Sequence, residues 1–311
     1  MSENNSKLYN FFFADGYRIA VLIIIILGII FFGIVLYLAF SRKRSNFNLI
    51  FILMLNVMIS SIISITGYLI EWKIGEDNNK VLLFDSNFIC VMQSTVLAIF
   101  QSSRESFLTL MTFLIVLNYL NEKIDLDSDK KKYKIIIFSY CYGVPVIANI
   151  IYISIGAYGE NHLFCYVKLN QKGSVCGSIH FFYLFFLLVL NSIFTLFLLI
   201  HDSCVKKPIE NDIWLEEKTC LNPLLKKIIF YPIAQVFSLG VPIYYRYGTF
   251  ISKDKNIYLM AGIAAVSNSF SSFIYTFIFM VSNNLLLCSK KEDKKDNSSA
   301  KEMIDNRALI D

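Results

Sequence analysis

Residues 19–40 read IAVLIIIILGIIFFGIVLYLAF, 22 residues without a charge, and Ser41-Arg42-Lys43-Arg44 follows at once. The hydrocarbon core of a bilayer is about 30 Å thick, and a helix rising about 1.5 Å per residue crosses it in about 20 residues. Lipid offers the backbone no water, so such a segment must satisfy its own hydrogen bonds as a helix. Six further apolar stretches begin near Phe47, Phe88, Tyr133, Ile179, Ile228 and Ile257. The expectation is an all-α membrane protein. A seven-transmembrane helix bundle would occupy residues 17–283, with a short tail at 1–16 and a polar, disordered tail at 284–311. Such a bundle narrows function to receptor, transporter, light sensor or intramembrane enzyme.

Composition agrees: the 311-residue chain is 56% hydrophobic and 17% charged, well under the roughly 25% charged of soluble domains. The net charge of +5 does not point to nucleic acid, because of where the charges fall. One set of loops, at 42–44, 123–134, 206–227 and 290–307, carries 19 Lys and Arg, and the other set carries 9. The positive-inside rule then places the N-terminus outside and the C-terminus in the cytoplasm, in a multi-pass protein of the plasma membrane. Residues 1–16 lack the basic start and cleavable core of a secretory signal, so the first stretch is expected to act as its own insertion signal. On the cytoplasmic side Lys130, Lys131, Lys132, Lys226 and Lys227 form a basic rim, suited to an acidic protein surface and equally to anionic membrane lipid.

The outer side nearly balances its 9 basic residues with 8 acidic ones, so no strong field selects an anion or a cation. Its loops are short, which favours a small extracellular ligand over a large one. Arg246, flanked by Tyr245 and Tyr247, is the candidate outer contact for an anionic group; the same tyrosines also suit an interfacial aromatic belt.

The 7 cysteines form no dense framework. Cys90 opens the third stretch at the outer face, and Cys165 lies in the outer loop between the fourth and fifth. An oxidising exterior permits a bridge between them, with Cys176 in the same loop as the competing partner. Cys288, beside Ser289-Lys290-Lys291, is a lipidation candidate.

Polar residues recur inside the stretches. Ser94, Gln101, Glu105 and Thr112 follow one another at 7, 4 and 7 residues and share a face of the third helix. Arg104 stands next to Glu105, about 100° round the helix and near mid-span. A charge there costs about 2.5–3.5 kcal/mol on insertion scales, so both side chains are expected to look into the bundle, toward different neighbours. Asn56, Ser60 and Ser64 line the second helix, and Asn268, Ser272 and Tyr275 the seventh. Together they would make a polar interior, serving as ligand pocket, as switch, or as a fixed structural core. Pro232 and Pro242 both fall in the sixth stretch, where a missing backbone bond favours a hinge.

Several segments resemble a known family, the seven-helix receptors grouped with the cyclic-AMP receptors of social amoebae and the fungal glucose-sensing receptors. Asn48-Leu49-Ile50 opens the second helix ahead of Ser60-Ser61 and Ser64. Cys90 begins the third, and Asn118-Tyr119-Leu120 closes it. Phe164-Cys165-Tyr166-Val167 is similar to that family's aromatic–Cys–aromatic outer loop, and Tyr231-Pro232, Pro242 and Arg246 to its sixth helix. The resemblance implies a G-protein-coupled receptor that passes the signal of a small extracellular ligand to a heterotrimeric G protein, by rearranging helices 3, 6 and 7. Ser238-Leu239-Gly240 replaces the Cys-Trp pair of the amoebal receptors, so cyclic AMP is not carried over as the ligand. The acidic–Arg–Tyr and Asn-Pro-x-x-Tyr switches of rhodopsin-like receptors are absent from the sequence.

The rival classes weigh less. Residues 257–283 hold no lysine for a retinal Schiff base. His180 and His201, on the fifth stretch, are 21 residues apart, too far to share a metal, and neither His-Glu-x-x-His nor Gly-x-Ser-x-Gly occurs. No enzyme activity, cofactor or metal is therefore expected. The alternative is a small-solute transporter or channel, although helices 1–3 and 5–7 show no repeated pattern.

Overall fold

The computed structural model describes residues 3–41, 49–70, 86–120, 131–161, 164–167, 174–205, 230–251 and 257–282. Among them are seven helices and one small hairpin. The helices are α1 (Glu3–Ser41), α2 (Leu49–Ile70), α3 (Ser86–Leu120), α4 (Lys131–Ser154), α5 (Ser174–Val205), α6 (Phe230–Ile251) and α7 (Ile257–Ser282). Between α4 and α5 lies an antiparallel pair, β1 (Tyr158–Asn161) and β2 (Phe164–Val167), in the register Tyr158↔Val167 to Asn161↔Phe164.

Five of the helices, α1, α2, α4, α5 and α7, are long and apolar enough to cross a membrane. Their outward faces are greasy, as an all-α membrane protein requires: Ile23, Ile26 and Ile30 on α1, Ile147 and Ile150 on α4, and Phe182, Phe186 and Ile193 on α5 are all exposed. α3 is outside that group for a physical reason. Its 35 residues are long enough, but it runs through the middle of the fold, and every residue from 101 to 109 is buried. A central helix meets side chains instead of lipid on all sides, so its sequence is free to be polar. α6 mixes Gln235 and Ser238 with Tyr231 and Tyr245, all buried.

The packing is asymmetric. α3 lies against α2, α4, α5 and both strands, while α6 and α7 lie against each other, α6 also against α5, and α7 also against α1 and α2. Close approach is built in at two small residues. A Cβ at Gly67 would meet Leu97 Cγ at 2.9 Å, which is why α2 and α3 draw together there, and one at Gly28 would meet Ser272 Oγ at 3.2 Å, where α1 passes α7.

α1 is helical from Glu3, through the residues expected as a short tail; its 39 residues span about 58 Å, nearly twice the apolar core. Three expectations need correcting. The loop between α4 and α5 is partly strand, because Phe164, Tyr166 and Val167 are aromatic and β-branched and have a sheet partner to pair with. α5 starts at Ser174, which puts Cys176 in its first turn, buried and not bridged, instead of in the loop. Finally, Pro145 interrupts the interior of α4 as Pro242 does that of α6, whereas Pro232 is only the third described residue of α6. α4 ends on Gly156, the one described glycine with positive φ (65°), where Gly156 N–H reaches Ile153 O and Ala157 N–H reaches Tyr152 O. That left-handed turn is open to glycine at no steric cost and sends the chain into β1.

Candidate functional site: a buried polar ladder beneath a tethered hairpin

Arg104 and Glu105 are both fully buried. Neighbours on a helix point about 100° apart, so Arg104 turns toward α7 and Glu105 toward α6, and their heads fold back on each other. The Arg104 Nε–H donates to Glu105 Oε1 at 2.6 Å, and Nη2 lies 2.5 Å from the same oxygen. Arg104 Nη1 donates to Ser271 Oγ at 2.6 Å and Nη2 to Asn268 Oδ1 at 2.9 Å. Three of the five guanidinium N–H groups thereby donate hydrogen bonds, and the cation also stands 5.8 Å over the Tyr275 ring. Glu105 Oε2 accepts from Gln235 Nε2 at 2.6 Å. A buried ion pair costs several kcal/mol in lost hydration, which good geometry and further hydrogen bonds repay; here both ions have them.

The bonds continue outward from the pair. Asn268 Nδ2 donates to the Tyr68 hydroxyl at 3.0 Å, and Asn191 Nδ2 donates to Gln235 Oε1 at 2.6 Å. The result is one chain, Tyr68–Asn268–Arg104–Glu105–Gln235–Asn191, which visits α2, α7, α3, α6 and α5 in turn. Tyr275 adds a side branch through its hydroxyl to Ser238 at 3.2 Å. The Asn191 Oδ1 end of the chain is buried without a hydrogen-bond partner among the described residues.

A second site lies toward the hairpin. The Cys90 and Cys165 sulfurs meet at 2.12 Å, in bonding distance, and fasten β2 to the start of α3. Gln93, one turn along, clasps the same strand: its Oε1 accepts from Cys165 N–H at 2.6 Å and its Nε2 donates to Gly67 O at 3.0 Å. The Tyr166 hydroxyl donates to Gln101 Oε1 at 2.8 Å and lies 2.8 Å from His180 Nε2 on α5. A phenol has one proton to give, so the Nε2 of His180 carries the hydrogen and donates to Tyr166. On the far strand Tyr158 donates to Asn149 Oδ1, and burial pushes its phenol above the usual range, so it remains protonated as the donor.

The predicted residues therefore fall into separate groups. Arg104, Glu105, Asn268 and Tyr275 come together as one cluster. Gln101 belongs to the hairpin site, one helical turn from Glu105. Asn56 and Ser60 are elsewhere: Tyr142 on α4 donates to Asn56 Oδ1 at 3.1 Å, and the Ser60 hydroxyl is 3.2 Å from the same phenol. Ser272 bonds its own backbone at Ser269 O and faces Gly28, because position 272 points away from α3 where 268, 271 and 275 point toward it. Tyr245 is buried and lines a cavity of about 20 Å³ with Tyr68, Gln101 and Tyr166, while its neighbour Tyr244 is 67% exposed. Lys130, Lys226, Lys227 and Cys288 lie outside the described residues, as do the side chains of Lys131, Lys132 and Arg246.

Gln235, Asn191, Ser271 and Tyr68 escaped the reading of the sequence. Tyr68 and Ser271 extend stripes the sequence does show, four residues beyond Ser64 and three beyond Asn268, whereas Gln235 and Asn191 are lone amides in apolar runs and form no stripe. The usable signal was the expense of a lone amide in an apolar span: Gln235 and Asn191 each needed a partner, and each is the other's. No family model matches this chain, and no curated protein is detectably similar to it.

Proposed function

We propose that the chain is a seven-span G-protein-coupled receptor of the cyclic-AMP-receptor-like type. In this reading it lies in the plasma membrane with its N-terminus outside and its C-terminus in the cytoplasm, binds a small extracellular ligand, and signals to a heterotrimeric G protein. One observation carries the reading: α3 meets α6 and α7 through a buried chain of charged and amide side chains, while its backbone packs against α2, α4, α5 and the hairpin. Apolar packing resists sliding, whereas a hydrogen-bonded seam has discrete partners that two arrangements of the helices can share out differently. Freed from Glu105, Gln235 would leave α6 attached to α3 only by weaker contacts, and Pro242 gives that helix a place to bend. The second support is position. Gln101 of the hairpin site and Glu105 of the seam are one turn apart on the same face of α3.

The test is guanine-nucleotide exchange by heterotrimeric G proteins from the same cell type, with the full-length chain in nanodiscs. Accelerated exchange, or a complex that a GTP analogue breaks apart, supports the receptor. If exchange is unchanged across a panel of extracellular small molecules while vesicles take up one of them, the chain is a transporter and the reading is wrong.

A further inference from the structure

The cavity beneath the hairpin is walled by Tyr68, Gln101, Tyr245 and Phe181, and β2 reaches into it with Phe164 and Tyr166. Its free volume of about 20 Å³ holds about one water molecule. The larger occupant is the protein's own: Tyr166 is 4% exposed, its hydroxyl spans Gln101 and His180, and its ring packs beside His180 and Phe181 with centroids 5.6 and 5.8 Å away. A neutral ring with one hydroxyl is therefore already bound, delivered by a strand that the Cys90–Cys165 bridge and the Gln93 clasp hold in place.

We propose that Tyr166 is a built-in stand-in for the ligand, and that the pocket takes an uncharged, hydroxyl-bearing ring that displaces this phenol from Gln101 and His180. This deepens the receptor reading and rests on it for its meaning as signalling. The lining explains why the ligand is uncharged. Among the described residues it offers phenol and amide groups, aromatic faces, Pro242 and Ala264, with no carboxylate, ammonium or guanidinium to pair an ion, and an unpaired ion is expensive to bury. The lining also explains how occupancy is sensed. Tyr68, on the pocket wall, accepts from Asn268, which holds Arg104. Gln101, on another wall, lies one turn from Glu105. A ligand that moves Tyr68 therefore acts on the Arg104 end of the ion pair through Asn268.

Access is measured by thiol labelling of the full chain in nanodiscs. The variant Ala264→Cys is made in a background where Cys141, Cys176, Cys204, Cys220 and Cys288 are alanine. Three methanethiosulfonates of similar size are compared: neutral, anionic and cationic. The neutral reagent is expected to react at least about tenfold faster than either ion, because the ions meet no counter-charge. Tyr166→Phe, which keeps the ring and loses both hydroxyl bonds, is expected to speed the neutral reagent, and phenol is expected to slow it. Equal rates for the charged reagents would mean an open, hydrated vestibule and would overturn the proposal, as would a rate indifferent to both Tyr166→Phe and phenol. Saturation-transfer NMR on the wild-type chain repeats the test without a thiol. Phenol should receive transfer that Gln101→Leu abolishes, and phenyl phosphate none. Transfer to phenol that survives Gln101→Leu is partition into lipid and sinks the proposal. None of these readouts uses a G protein, so a labelling failure is distinct from a failure of nucleotide exchange.

Discussion

Arg104 and Glu105 are costly residues to place in a span, and the cost defines what their removal should do. Arg104→Met leaves the Glu105 carboxylate buried with Gln235 as its remaining hydrogen-bond partner among the described residues, and breaking a buried pair in this way loses about 3–5 kcal/mol. Thermal unfolding of the purified variant should register that loss as a lower Tm. Arg104→Met combined with Glu105→Leu removes both ions, and most of the stability should return, because an apolar replacement of a whole buried pair is often neutral. If the double variant melts as early as the single one, an unpaired charge is not the cause. The same double variant separates structure from switching: a chain that melts like the wild type but no longer alters nucleotide exchange has lost a switch, not a scaffold. Adjacent opposite charges at mid-span were legible as residues that must face inward and toward different neighbours, since 100° of helix rotation follows from their numbering alone. Their partners were not legible, because helix order around the bundle decides that Ser271 and Asn268, and not Asn56 or Ser60, come within reach.

At the level of elements, the α2–α3 contact and the hairpin are separately testable. Gly67 lets α2 approach until a Cβ would press on Leu97, so Gly67→Val should cost about 1–3 kcal/mol by overpacking. Leu97→Ala in the same chain should recover part of it by making room; a melting temperature that falls further in the double variant would mean the two positions do not compete for one space. The hairpin is tied by a bridge across 75 residues of sequence. For a soluble chain that separation predicts about 4 kcal/mol, but inserted helices already restrict the unfolded state, so the paired replacement Cys90→Ser and Cys165→Ser should cost only about 2 kcal/mol. Hydrogen exchange at the backbone amide of position 165 should quicken, since the covalent tie is gone and only hydrogen bonds, the Gln93 clasp among them, then hold the strand. The long apolar runs made α1, α2, α4, α5 and α7 readable from composition, and the two loop-side cysteines marked the bridge. The hairpin itself was hidden: β2 is a four-residue strand buried on both faces with no alternation, so it has the composition of any apolar loop, and only its pairing partner makes it a strand.

Across the whole molecule, the question is which helices cross the membrane. Five helices qualify by length and apolarity, and both five and seven spans put the termini on opposite sides, so terminal tags cannot decide between them. The segments flanking α3 and α6 can. If α3 spans, residues 71–85 and 121–130 face opposite compartments; if it does not, they share one. Insertion scales charge α3 about 2.5–3.5 kcal/mol for each of Arg104 and Glu105, so it would cross the membrane only with the bundle supplying partners for both. The charge distribution predicts that it does: the flanks of α3 put basic residues of 121–134 with those of 42–44 on one side. Single cysteines at Asn78→Cys and Ser252→Cys should therefore react with an impermeant maleimide on intact cells, while Asp125→Cys and Asn211→Cys should react only after permeabilisation. Labelling of Asn78→Cys and Asp125→Cys together would remove α3 from the spanning set. Loss of the partners should have the same effect in part. A chain with Asn268→Leu, Ser271→Ala and Gln235→Leu removes the hydrogen bonds that Arg104 and Glu105 make beyond each other, and the Asp125→Cys thiol should then become reactive in a fraction of the molecules. That fraction measures how far the ladder, more than the apolarity of α3, keeps the central helix across the membrane.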